Sequence, residues 1–126
     1  MRIPAFLAAL ALSALAPSAL FAHVELAAST PAAGSEVKAP KAITLIFSQP
    51  VEASSAAASI VMTAMPGMPN HGEMVIRNFT ASWSPDNRTM TLDLKKSLPT
   101  GTYEVRWQAA ASDGHPVSGT VVFKVR

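Results

Sequence analysis

Cysteine is absent from this 126-residue chain, and that absence removes whole classes of chemistry. Blue-copper electron-transfer centres require a cysteine thiolate, structural zinc sites usually use one, and iron–sulfur clusters nearly always do. Disulfides are excluded as well, so the fold must stand on its hydrophobic core. Charge is sparse too: 14% of residues are charged and the formal balance is +2, which gives no electrostatic footprint for nucleic acid or an anionic membrane. Catalytic signatures are missing. There is no glycine-rich phosphate loop, and Ser112, Asp113 and His115 share one turn, too close together to form a nucleophile, base and orienter.

What is present begins at the N-terminus. Arg2 supplies a positive n-region, Ile3 to Leu15 is an almost unbroken apolar run, and Leu20-Phe21-Ala22 ends in a small residue suited to cleavage. The run is too short for a comfortable bilayer span. Residues 1–22 are therefore expected to be a cleaved secretory signal, with residues 23–126 forming one domain around one core. The alternative is an uncleaved N-terminal anchor. Without Arg2, nine basic side chains face eight acidic ones.

Cleavage after Ala22 would make His23 the first residue, with an amine and an imidazole on the same residue. That pair is a compact chelate for a metal that prefers nitrogen ligands in a plane, above all Cu(II). The chain has only three histidines, and the other two also sit beside candidate ligands. Asp113 and His115 lie two residues apart around Gly114, so in an extended segment both side chains project to one side and could clamp a metal. The same residues also suit a solvated turn in which Asp113 bonds to the backbone.

Met62, Met65, Met68, His71 and Met74 recur at a strict spacing of three. Pro66, Gly67, Pro69 and Gly72 rule out a helix there. Polyproline II has three residues per turn, so the row could line one edge of an extended loop. Soft thioethers suit Cu(I), and His71 adds a nitrogen donor. The other reading of this loop is a flexible apolar patch, with Met62 as ordinary strand core.

The rest of the chain consists of short alternating segments between turn residues. Strands are expected at Val24–Ser29, Lys41–Phe47, Ala58–Ala64, Met74–Trp83, Arg88–Leu94, Tyr103–Gln108 and Thr120–Val125. About seven strands at regular spacing, with no amphipathic helix after the signal, predict an all-β Greek-key sandwich or barrel.

In these residues the chain resembles the CopC family of periplasmic copper-resistance proteins. The matching features are His23 at the processed start, Ser29-Thr30-Pro31 followed by Gly34-Ser35-Glu36, and Phe47-Ser48. They continue through Val61 to Met68, Gly101-Thr102-Tyr103, Trp107, and Ser112-Asp113 with His115-Pro116. The resemblance implies a cupredoxin-like or immunoglobulin-like β-domain. It also implies Cu(II) held by His23 with its amine, Asp113 and His115, and Cu(I) held among Met62, Met65, Met68, His71 and Met74, as in the methionine-rich subset of the family. Two departures stand out against the family pattern. Gln49 occupies the position after Phe-Ser where a Glu is common, which implies weaker Cu(II) binding or a water or Glu25 in that place. One extra residue separates Met68 from His71.

These features together predict a periplasmic copper carrier rather than an enzyme, with redox-linked movement of copper between the two sites. The resemblance implies an inner-membrane copper transporter or a periplasmic copper oxidase as partner, with no nucleic acid and no stable membrane insertion after processing. Two competing functions are a histidine-brace copper oxygenase and a metal-free exported β-sandwich interaction module. The oxygenase would need open copper positions and a substrate platform, whereas Asp113 would fill a position and no aromatic cluster lies beside it in sequence.

Overall fold

The computed structural model describes residues 23–68 and 72–126. The expected signal segment 1–22, and His71 with it, lie outside the described residues.

Among the described residues nine strands run in chain order: β1 (Leu26–Thr30), β2 (Glu36–Val37), β3 (Ala42–Phe47), β4 (Ala57–Ala64), β5 (Met74–Ile76), β6 (Phe79–Trp83), β7 (Thr89–Leu94), β8 (Gly101–Ala110) and β9 (Pro116–Val125). Among the described residues, a 3-10 turn, Ala53–Ser55, precedes β4. One sheet has the order β1-β3-β7-β6 and the other β2-β9-β8-β4-β5. All pairings are antiparallel except β2 with β9. The expected all-β sandwich is observed as two open sheets rather than a closed barrel.

Alternation explains which faces meet. On β8, Tyr103, Val105, Trp107 and Ala109 point inward and are buried; on β9, so are Val121, Phe123 and Val125. Ile43, Leu45 and Phe47 of β3 and Met90, Leu92 and Leu94 of β7 face them from the opposite sheet. Aromatic rings tie the two layers together: Phe47 meets Trp107 edge-on at 5.3 Å and stacks on Trp83 at 6.0 Å. No charged residue is buried among the described residues; the polar atoms in the core include the Tyr103 hydroxyl, bonded to the Pro99 carbonyl, and Trp107 Nε1.

One expected strand is two. Met74–Trp83 splits at Arg77-Asn78, where the Phe79 N–H bonds back to the Arg77 carbonyl at 3.0 Å and the chain leaves one sheet for the other. The inward parity changes across the break: Ile76 before it and Phe79 and Trp83 after it pack on the core, while Val75 is exposed. Because Val75 and Ile76 are both apolar, the sequence pattern does not reveal the change. The β8–β9 hairpin is longer than the alternation suggested. Ten residue pairs run in register from Gly101↔Val125 to Ala110↔Pro116, making a ladder about 30 Å long at the usual rise per residue. This hairpin separates the two poles of the domain: the turn at 111–115 lies at one, and the start of β8 lies at the other.

Candidate metal centre

The turn joining β8 to β9 builds the first pole. Ser112 and Asp113 form a turn rather than the extended segment expected, with the Gly114 N–H bonded to the Ala111 carbonyl at 2.9 Å. Gly114 has φ +78°, a left-handed geometry that glycine enters without steric cost. Asp113 then divides its two oxygens. Oδ1 accepts the backbone N–H of His115 at 3.0 Å, and Oδ2 lies 3.7 Å from His115 Nδ1 and 3.9 Å from His23 Nδ1.

His23 arrives from the far end of the sequence. Pairing of β1 with β3 sets Leu26 opposite Phe47. Just before it, Glu25 donates its N–H to Ser48 Oγ at 3.0 Å and accepts the Ser48 N–H at 2.8 Å. Buried Val24 anchors this segment in the core, which leaves His23 exposed at the pole. Ser48 precedes Gln49, so the neutral amide belongs to the same loop that holds the segment leading from His23.

One ligand atom from each of His23, Asp113 and His115 lies within 4.8 Å of the others. The two imidazole rings stand 6.1 Å apart and tilted by 57°. All three side chains are exposed, so an ion could approach without rearrangement of the core. Two nitrogens and one carboxylate oxygen form a donor set suited to Cu(II). Only the Asp113–His115 pair was close in sequence; the closure by His23 depends on β1.

The methionine row has a different shape from the one expected. Pro66-Gly67 folds it back as a tight turn: the Met68 N–H bonds to the Met65 carbonyl at 3.0 Å, and Gly67 has φ +80°. A Pro-Gly pair with that φ meets the requirement of a type II turn, so this part of the loop is not the polyproline II edge that the spacing of three suggested. Beyond it, β4 and β5 place Met62 directly opposite Met74, on the same face of the sheet. Met62 is 3% exposed and belongs to the core, Met65 is half-buried against it, and Met68 and Met74 are 54% and 50% exposed. The row therefore runs from core to surface instead of along one exposed edge.

An ion-pair network absent from the sequence reading flanks this pole. Arg106 of β8 makes a two-pronged contact with Glu73, just before β5, and also bonds Glu104 Oε1 at 3.0 Å. The Arg106 guanidinium holds the Glu73 carboxyl below the usual carboxylate range, chiefly through these hydrogen bonds. The partners are 33 residues apart, so no short-range pattern signals the contact.

A two-sheet sandwich without cysteine, bearing an exposed His-Asp-His cluster at one pole and a methionine turn at the other, defines a small β-domain with candidate metal-ligand clusters. The CopC domain family model matches residues 26–126, and the chain belongs to the CopC family. Copper resistance protein C of Pseudomonas syringae pv. tomato is 44% identical over 121 residues, covering 96% of this chain and 91% of that one. Copper resistance protein C of Escherichia coli is 39% identical over 105 residues, covering 83% and 82%. Among solved structures, PcoC, a methionine-rich copper resistance protein from Escherichia coli, superposes with a TM-score of 0.74 at 36% identity, covering 83% of this chain and all of that one.

Proposed function

We propose that this chain is a periplasmic copper-binding protein that carries copper as cargo in copper resistance or homeostasis. Cu(II) binds at His23, Asp113 and His115, and the amine of His23 adds a further nitrogen once residues 1–22 are removed. Cu(I) binds among the methionines, where Met65, Met68 and Met74 are the accessible thioethers and Met62 is the buried one, with His71 as the further candidate donor from its place in the sequence. Nitrogen and carboxylate donors favour Cu(II), whereas thioethers favour Cu(I). Oxidation therefore drives copper toward the His23 pole and reduction drives it back. The membrane transporter or periplasmic oxidase implied by the resemblance is the expected recipient.

The observation that carries this reading is the convergence of His23, Asp113 and His115 within 4.8 Å, in a chain whose relatives are named for copper resistance. Binding without turnover is the matching activity, because Asp113 occupies a copper position that oxygen chemistry would need open.

A Cu(II) titration followed by electron paramagnetic resonance tests it, using protein whose mass shows that it begins at His23. The expected result is one tetragonal, nitrogen-rich copper per chain, with the spectrum changed when a glycine is added before His23. A titration with no stoichiometric signal would overturn the Cu(II) assignment. Competition with a Cu(I) chelator under reducing conditions tests the methionine pole separately.

A further inference from the structure

The near-neutral balance of the chain conceals a separation of charge along the strand axis. At the His23 pole, the loops between strands carry Glu25, Glu52, Asp86 and Asp113, with Arg88 as the lone Lys or Arg among them. At the opposite pole, Lys38 and Lys41 precede β3, and Lys95 and Lys96 follow β7. These segments are one connected surface: the Leu94 N–H bonds the Lys41 carbonyl at 2.8 Å, and the Leu98 N–H bonds the Pro40 carbonyl at 3.2 Å. Asn78 joins them by accepting the Lys95 N–H at 2.9 Å, which brings in neighbouring Arg77.

All five of these cations are exposed, and none takes part in an ion pair among the described residues. The methionine turn lies at the same pole, next to the start of β8. Met65 and Pro66 line a groove with Glu36, Thr100, Lys124 and Arg126; Arg126 lies 3.9 Å from Glu36, so Lys124 is the further cation bordering the turn. Exposed Met68 and Met74 supply apolar surface at the same pole.

We infer that this basic pole is a docking surface for an acidic protein partner, one whose carboxylates meet Lys38, Lys41, Lys95 and Lys96 while the methionine turn faces the contact. Cations fixed on hydrogen-bonded loops suit discrete carboxylates in a matching pattern. A uniformly anionic lipid surface fits less well. Glu36, Glu73 and Asp93 lie at or near this pole and would meet such a surface with like charge, whereas a protein can vary its charge from point to point. The inference stands independently of copper binding, and the metal-free protein tests it.

The probe is a short poly-L-glutamate peptide, titrated into isotope-labelled, metal-free protein and followed by amide chemical shifts at low ionic strength. Perturbations are expected at 38–41, 77–78 and 94–98 and around Met65–Met68, fading as added salt shortens the screening length to about 10 Å or less. The double reversal Lys41→Glu with Lys96→Glu should weaken binding by about tenfold or more, while Arg88→Glu at the other pole leaves it unchanged. Unaltered binding by the double variant, or shifts spread evenly over the surface, would overturn the proposal. So would binding to vesicles of equal parts phosphatidylglycerol and phosphatidylcholine in the absence of binding to the peptide, since that would assign the pole to lipid. Copper titration of the same double variant keeps the two readings separate, because Cu(II) uptake at the far pole should be retained.

Discussion

Asp113 holds His115 with one carboxylate oxygen and faces its ring with the other: Oδ1 accepts the His115 backbone N–H at 3.0 Å while Oδ2 lies 3.7 Å from Nδ1. The two readings of this turn, an Asx-type backbone bond and a metal clamp, are therefore compatible. The backbone bond fixes the direction in which the second oxygen points. Asp113→Asn keeps an oxygen for the turn and removes the negative charge. Cu(II) affinity is expected to fall on the order of 10- to 100-fold, with melting temperature nearly unchanged. Asp113→Ala removes both functions and should weaken Cu(II) further while loosening the 111–115 turn. Equal affinity in the wild type and the Asn variant would show that Oδ2 is not a ligand.

Gln49 follows Ser48, whose backbone and hydroxyl both bond to Glu25, two residues from His23. A carboxylate at position 49 would add one negative charge to the loop that holds the His23 segment. Gln49→Glu is expected to tighten Cu(II) binding by about tenfold, equivalent to about 1.4 kcal/mol. Isothermal titration against a competing chelator measures this directly, and an unchanged constant would remove Gln49 from the account of the site.

The methionines separate by burial, so their variants should separate by readout. Met68→Leu and Met74→Leu alter exposed side chains and should leave unfolding free energy within about 0.5 kcal/mol of the wild type, while reducing Cu(I) retention against a chelator. Met62→Ala empties a core position and should cost about 2–5 kcal/mol. If Met68→Leu and Met74→Leu together retain full Cu(I) affinity, these two thioethers are not ligands.

Alternation made most of the fold legible, because β3, β7, β8 and the second half of β9 each bury every second residue against a core with no buried charge among the described residues. The break at Arg77-Asn78 was hidden because Val75 and Ile76 are both apolar, so the change of inward parity from Ile76 to Phe79 leaves no mark in the pattern. The two-residue β2 was invisible because so short a strand has no period. At the candidate sites, the Asp113–His115 spacing pointed to a pair, but the closure by His23 depends on β1 pairing with β3 in the sheet opposite the β8–β9 turn. The spacing of three among the methionines pointed to an extended edge. The Pro66-Gly67 turn prevailed there, because a positive φ at Gly67 lets the chain reverse and close a backbone hydrogen bond. Charge polarity could not be read from a net balance, since it depends on which loops share a pole.

Gly119 faces Trp107 across the β8–β9 pair, and its lack of a side chain makes room for the indole. A Cβ there would lie 2.6 Å from Trp107 Cζ2 and 2.8 Å from Cε2. The ring cannot readily retreat, because Phe47 packs edge-on against it at 5.3 Å. Gly119→Ala should therefore destabilise the domain by about 1–3 kcal/mol through overpacking. Thermal unfolding checks this, and a melting temperature equal to that of the wild type would mean the sheet yields where the ring does not.

Tyr103 gives the fold an alkaline limit. Its ring is fully buried and stacks on Phe123 at 5.7 Å, and its hydroxyl donates to the Pro99 carbonyl at 2.6 Å. Burial pushes the phenol up to about 12 from an ordinary value of 10.0. The neutral form is thus favoured in the folded state, so its contribution is complete below pH 10, the unfolded value, and is lost as pH rises through the folded value near 12. A shift of this size corresponds to roughly 2–3 kcal/mol. Tyr103→Phe removes the titrating group and leaves the Pro99 carbonyl without this donor, at a cost of about 1 kcal/mol near neutral pH. Denaturant unfolding from pH 8 to 12 should therefore show wild-type stability falling toward, and then below, that of the Phe variant. Parallel curves for the two proteins would mean that the phenol titrates alike in the folded and unfolded states, with no upward shift.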